Sequence, residues 1–335
     1  MKIAVDAMGG DFAPADVVQG AVEASRKYNI TAVLVGPENQ VRAEIAKSDV
    51  SGASIEIVHT DQWLVEGEHP ALALRSKRDA SIFVAARLVK EGKADAVVGF
   101  GPTGGVVAAA MQIIGTVEGV SRPVVGGAFL GFAPNLVMMD MGGNVDCRPD
   151  QLLDFAVVGA VFARKFFKIA DPTVAILSNG AEEGKGNELV KETWPLLKKS
   201  GLNFIGAAEG NDILSGKANV IICDGFVGNV LVKFCEALGK TAGKYVEEKL
   251  SGRLPEAEVR DIADGLYRAT NAAEVLGAGP FWAVNGVVIK GHGRSRAPEI
   301  ARGIGQARLS VELDVLGALR EELARVKQAV KTPAS

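Results

Sequence analysis

The sequence predicts an α/β protein: a Rossmann-like three-layer α/β/α arrangement built on a mostly parallel sheet. Short Val/Ile/Ala runs alternate with longer amphipathic segments, the pattern of buried strands covered by helices. Glycine is abundant, with 40 residues in 335, and aromatic residues make up only 6%. Several apolar runs end in glycine with Asp, Asn or Lys close by and then open a helical pattern, as strand-to-helix turns do.

In chain order, strands are expected at Lys2–Asp6, Thr31–Val35, Ser54–His59, Ala94–Val98, Val124–Leu130, Leu136–Met139, Thr173–Leu177, Asn203–Ala207, Val220–Cys223 and Val287–Lys290. Each is a short run of apolar, often β-branched residues bounded by turn formers. Helices are expected at Ala15–Tyr28, Gln40–Lys47, Ala71–Glu91, Val106–Ile114, Leu152–Phe167, Gly186–Ser200, Asn229–Leu250, Glu256–Leu266, Ala297–Ser310 and Val311–Ala329, where apolar positions recur at helical spacing. No linker-like tract divides the chain, so one unit over residues 1–335 is expected. Within it, Gly239–Ala278 is rich in Lys, Glu and Arg, with Pro255 between two helical patterns, and reads as a helical excursion from the sheet.

Bulk properties exclude several classes. Lys plus Arg number 37 against 40 Asp plus Glu, a net charge of −3, which is no footprint for nucleic acid. Three cysteines without a C-x-x-C pair fit a reducing cytosol. Met1 leads directly into a strand-like run, so no signal peptide is expected and a cytoplasmic location is. The most apolar long stretch, Val124–Met139, is broken by Pro134 and Asn135 and is too short to span a bilayer. No cluster has metal-ligand spacing, and no cofactor is expected.

Six loops carry candidate chemistry. Gly99-Phe100-Gly101-Pro102-Thr103-Gly104 matches a dinucleotide fingerprint, but no carboxylate ends the following strand to hold a ribose hydroxyl. A helix N-terminus offering backbone N–H groups to an anion is the better reading. In Gly180–Glu188, Lys185 sits between two glycines at a helix start, where ammonium and helix dipole add; a solvated surface lysine is the bland alternative. In Cys223–Asn229 a strand ends in Asp224, and Asn229 falls at a helix start, either as its cap or as an amide aimed at a carbonyl oxygen. A strand delivers His292 between Gly291 and Gly293, a more site-like setting than that of His59 or His69. Finally, Asp6–Asp11 is echoed by Met139–Asn144: an acid, paired glycines and a polar residue after a strand. In an open α/β sheet, ligands bind beyond the carboxyl ends of strands, so these loops are expected to form one anion-binding crevice.

With these residues in place, the sequence resembles the PlsX family, acyl-carrier-protein:phosphate acyltransferases. The resemblance runs through Ile3–Asp11 with Ala13 and Pro14, then Arg75, Lys77 and Ser81, then Gly143–Cys147 with Pro149. It continues through Lys185–Leu189, Glu209–Asp212, Cys223–Val230, Val284–Val288 and His292-Gly293. It implies conversion of an acyl carrier protein thioester and inorganic phosphate into acyl phosphate, a homodimer, and peripheral membrane contact. The chain departs from the family pattern Ser-Ala-Gly-Asn-Thr-Gly-Ala at Gly99–Gly105, where Pro102 replaces Asn and removes an amide and a backbone donor. The tract expected to meet the membrane is polar here, as in Tyr245–Lys249.

Resemblance and chemistry together make Lys185, Asn229 and His292 the expected catalytic residues: phosphate binding for Lys185 with help from His292, carbonyl polarisation for Asn229. The expected substrate-binding set is Asp6, Gly9, Gly10, Asp11, Thr103, Gly104, Gly105, Asn144, Asp146, Gly186, Asn187, Asp224 and Gly225. Two other readings are a coenzyme A-dependent phosphotransacylase and a divergent homologue that binds acyl carrier protein with little turnover.

Overall fold

A computed structural model describes residues 1–68, 70–271 and 277–331. His69 and residues 272–276 of the expected helical excursion lie outside the described residues. The chain groups into two compact units, Met1–Pro123 with Leu276–Ala318 (unit 1) and Val124–Val275 with Leu319–Ser335 (unit 2).

Unit 1 holds strands β1 (Lys2–Asp6), β2 (Thr31–Gly36), β3 (Ser54–His59), β4 (Ala96–Gly99), β10 (Ala278–Trp282) and β11 (Val287–Gly291). Their order is β3-β2-β1-β4-β11-β10, parallel except for the β10–β11 pair. Alternation along β1 sorts its side chains between the two faces. Ile3 and Val5 join Val17, Val18, Ala21 and Ala24 of α1 (Ala15–Tyr28) and Ile300, Ala301 and Ile304 of α11 (Ala297–Glu312) in one core cluster. Helix α4 (Ser81–Lys90) also packs on β1.

Unit 2 holds β5 (Val124–Leu130), β6 (Ala133–Met139), β7 (Thr173–Leu177), β8 (Asn203–Ala208) and β9 (Val220–Ile222) in the order β5-β6-β9-β7-β8. Only the β5–β6 hairpin is antiparallel. Met138, Ala175 and Ile221 pack toward Val227 and Leu231 of α9 (Gly225–Leu250). Helix α6 (Pro149–Phe166) packs on β6 and β9, with Gly159 against Val220. The α/β class and the mostly parallel pairing expected from the sequence are thus observed.

Three local outcomes differ from expectation. The expected helix Ala71–Glu91 is two helices, α3 (Pro70–Ser76) and α4, broken at residues 77–80. The break is held from afar: Ser81 N–H donates to Gln62 O at 2.8 Å, and the Thr60 hydroxyl donates to Asp79 O. Strand β10 was not expected. Finally, α9 starts a turn earlier than Asn229, capped by Asp224, whose Oδ1 accepts from Val227 N–H at 2.8 Å. Asn229 therefore lies inside the first turns and is not the cap.

The tract read as an excursion contains the second half of α9 and all of α10 (Glu256–Thr270), which pack on each other. Most of the exposed apolar side chains of α9 lie earlier, in a row of Phe226, Val230, Phe234 and Leu238, all at least 48% exposed, with Tyr245 exposed beyond them. No helix among the described residues is long and apolar enough to cross a membrane.

Candidate functional site

In each unit the parallel strands end at one edge, and the loops singled out by sequence leave from there. In unit 1 the neighbouring strands β1, β4 and β11 carry the loops of Asp6–Asp11, Phe100–Gly105 and His292-Gly293. The three loops touch. Asp11 N–H donates to Gly293 O at 2.8 Å. A side chain at Gly9 would stand 2.6 Å from Gly101 N and 2.5 Å from Asp6 Oδ2, so only glycine permits this approach. Gly10 lies beside Gly293 and Phe100. Thr103 and Gly104 open α5 (Thr103–Ala108), which a short π-helical stretch, Ala109–Ile114, continues; Thr103 is exposed, while Gly105 is buried against Leu64. His292 is exposed at the end of β11, its N–H on Gly277 O at 3.4 Å.

Asp6 faces inward. Its Oδ1 accepts from the Ser81 hydroxyl at 2.5 Å and from Met8 N–H at 3.2 Å. Burial pushes its carboxyl up from 3.8 to about 6, against the pull of Ser81 and the Met8 and Gly9 amides. A carboxyl whose folded pKa is raised stays protonated in the native state while the unfolded chain ionises. Stability then falls as pH rises from about 4 to about 6 and is level above, by roughly 3 kcal/mol at ~1.4 kcal/mol per pKa unit. Asp6→Asn removes that loss. Its stability advantage over the parent, read from urea unfolding, is expected to grow by about that amount between pH 4 and pH 7. An advantage that stays constant across this window would refute the buried-carboxyl account.

In unit 2 the neighbouring strands β6, β9 and β7 carry the loops of Asp140–Asp146, Asp224–Asn229 and Ser178–Asn187. The β6 loop turns around Asp140, which is fully buried. Its Oδ1 accepts from Gly142 and Gly143 N–H at 2.9 and 2.8 Å, and its Oδ2 from Asn144 Nδ2 at 2.8 Å. Burial raises the Asp140 carboxyl pKa, and these three donors oppose the rise. The Asn144 amide is therefore used inside the loop, while Asp146 is exposed. Gly225 N–H donates to Asn144 O at 2.7 Å, tying the start of α9 to this loop. The exposed side chain of Asn229 lies beside Gly142, where an added Cβ would be 3.4 Å from Asn229 Oδ1.

The β7 loop leads into α7 (Glu188–Lys199), capped by Asn187, whose Oδ1 accepts from Val190 N–H at 3.0 Å. Gly186 holds a left-handed φ of 93°, and its N–H donates to Asn179 Oδ1 at 2.9 Å. Lys185 is exposed. It has no ion-pair partner among the described residues, whereas nearby Glu183 is held by Lys198 at 2.7 Å. Asn187 and Asp224, the two caps, border one cavity of about 330 Å³. Lys185 and Asn229 do not line it; they flank it on the same two loops.

The cysteines are poor nucleophiles here. Burial pushes the Cys147 thiol up to about 11 and raises that of Cys223 further. Among the described residues no group of His, Cys, Asp or Glu is set to hold a metal ion. The loop-anchoring roles of Ser81 and Asp140 were not part of the sequence reading. The echo between the two acid-glycine-glycine loops was the available signal for Asp140.

Comparison with known proteins places the chain. It matches the family model described as "Fatty acid synthesis protein" over residues 1–317. The phosphate acyltransferase of Pelotomaculum thermopropionicum is 40% identical over 331 residues, covering 98% of this chain and 96% of that protein. That of Moorella thermoacetica is 42% identical over 323 residues, covering 95% of each. Among solved structures, a phosphotransacetylase from Streptococcus pyogenes aligns with a TM-score of 0.64 at 18% identity, over 95% of this chain and 94% of that one. A branched-chain phosphotransacylase from Enterococcus faecalis aligns at 0.55 and 13% identity, over 93% and 99%. At these identities the structural likenesses speak for the fold alone. Full-length identity of this order and the match of the family model carry the assignment: the chain belongs to the fatty acid synthesis protein family, the PlsX family of phosphate acyltransferases.

Proposed function

We propose that the protein transfers a fatty acyl group from a thioester to inorganic phosphate, forming acyl phosphate for lipid synthesis, with acyl carrier protein as the donor. The observation that carries this reading is the loop set of unit 2. Lys185, an ammonium without an ion-pair partner among the described residues, precedes the start of α7, whose cap Asn187 borders the same cavity as Asp224, the cap of α9.

The chemistry needs little more. Lys185 and the first-turn N–H groups of α7 bind phosphate and offset its charge. A phosphate oxygen attacks the thioester carbonyl carbon, and the carbonyl becomes an oxyanion to which the Asn229 amide donates. The C–S bond breaks as the carbonyl re-forms, and the thiolate leaves with the bonding pair, taking a proton from solvent. No protein nucleophile takes part. Asp146 and Asp224 orient the ammonium or the carrier's arm, with Asn144 and Gly225 holding their loops. In unit 1, Gly9, Gly10, Asp11 and Thr103–Gly105 are assigned to substrate binding, with the buried Asp6 holding their loop from within, and His292 to a donor for substrate negative charge.

The test is incubation with palmitoyl carrier protein, with and without phosphate, following free thiol. Phosphate-dependent thiol release is expected, faster than with palmitoyl coenzyme A. Equal or greater use of coenzyme A would move the donor assignment, and thiol release that ignores phosphate would end the reading.

A further inference from the structure

The cavity of unit 2 has features that phosphate binding does not use. At about 330 Å³ it is at the small end of ligand sites, which span roughly 300–1,000 Å³. Asp224, Val227 and Leu231 of the α9 region all line it. Offsets of three and seven residues put them on one stripe of the helix. Along that stripe the lining passes from carboxylate to aliphatic within about 10 Å, at ~1.5 Å per residue. The start of α7 repeats the pattern, with Asn187 followed by Leu189 and Val190. Ile176 and Ile213 also line the space, and among the described residues no lysine, arginine or aromatic ring does. At the polar end lies Ser178, whose buried hydroxyl has no hydrogen-bond partner among the described residues. A ligand for such walls is hydrocarbon along its length with one polar head. A nucleotide or a bare phosphate has no such body.

We infer that this cavity receives the fatty acyl chain of the substrate, its carbonyl end near Asn187 and Asp224 and its hydrocarbon running toward Ile213 and Leu231. The inference rests on the acyltransferase reading and adds what that reading lacks, a seat that measures chain length.

A series of carrier-protein thioesters from butyryl to palmitoyl tests it. In the parent, kcat/KM is expected to rise about four-fold per methylene until the cavity is full, then level off. Leu231→Phe shortens the space and should lower the palmitoyl-to-octanoyl ratio by more than about ten-fold, the effect of roughly two methylenes. Leu231→Ala should raise that ratio. A series without chain-length dependence in the parent, which needs no variant, overturns the inference. So does a ratio unmoved in both folded variants. A uniform change across all chain lengths also overturns it, and gives the cavity to the carrier's pantetheine arm instead. Absence of acyl phosphate from every donor is a separate failure: it removes the acyltransferase reading and takes the chain-length seat with it.

Discussion

Lys185→Ala is expected to lower kcat/KM for acyl phosphate formation by about 10²–10³-fold, the usual consequence of deleting one preorganised donor at a developing charge. The electrostatic argument reaches the same size. A unit charge pair at ~4 Å near a protein surface interacts by about 4 kcal/mol, close to three decades in rate. Phosphate carries more than one negative charge, and Glu188 in the first turn of α7 tempers the field. The fold should be untouched. Lys185 is exposed and unpaired among the described residues, and such substitutions usually change stability by less than about 0.5 kcal/mol. Two further readouts separate binding from scaffolding. Lys185→Arg keeps the charge and should recover part of the rate, although its planar fork cannot reproduce an ammonium's contacts. Raising phosphate should partly rescue Lys185→Ala if the ammonium holds phosphate in the ground state. Turnover equal to the parent's at every phosphate concentration would remove Lys185 from the site.

The elements that sequence made legible are those whose signal is local. Ile3-Ala4-Val5 and Val220-Ile221-Ile222 are continuous apolar runs because both faces of a parallel strand are covered, and no other arrangement of so short a run hides them as well. The site loops were legible for the same reason: glycine and a polar residue after a buried strand mark the carboxyl edge of the sheet. What was missed depends on contacts distant in sequence. Nothing in Lys77-Arg78-Asp79-Ala80 stops a helix; the contacts of Thr60 and Gln62 do, and the stop places the Ser81 hydroxyl on Asp6. Gly279 and Pro280 argue against a strand, yet β10 forms because β11 offers it a partner. Gly225 and Gly228 lie in the first turn of α9, glycine because the backbone of Asn144 and Asp140 presses against them. The Asp6 and Asp140 loops look alike in sequence because each acid does the same work: it is buried, and its Oδ1 accepts an N–H from two residues on. Their resemblance to ligand-binding acids came from residue type, which does not report direction.

Asp140→Ala follows from that role and should disrupt both the β6 loop and the start of α9. It strands three donors at once, the amides of Gly142 and Gly143 and the side chain of Asn144. The two glycines are exposed and can turn to water, but Asn144 is only 4% exposed. A buried donor left without its acceptor costs about 1–3 kcal/mol, so a loss of roughly 2–4 kcal/mol is expected by urea unfolding. The damage should not stay in the loop. Asn144 O holds Gly225 N–H, and Gly142 stands against Asn229, so a slack β6 loop frees the start of α9 and the amide proposed to meet the oxyanion. Acyl phosphate formation should therefore fall even at temperatures where the variant is fully folded. Asp140→Asn separates the two effects. It keeps an oxygen for Gly142 and Gly143 but sets its own amide against that of Asn144, so it should lose less stability than Asp140→Ala while still misplacing Asn144. Should Asp140→Ala unfold at the same urea concentration as the parent, the loop is fixed by its backbone path alone, and the inward-facing acid cannot be what positions Asn229.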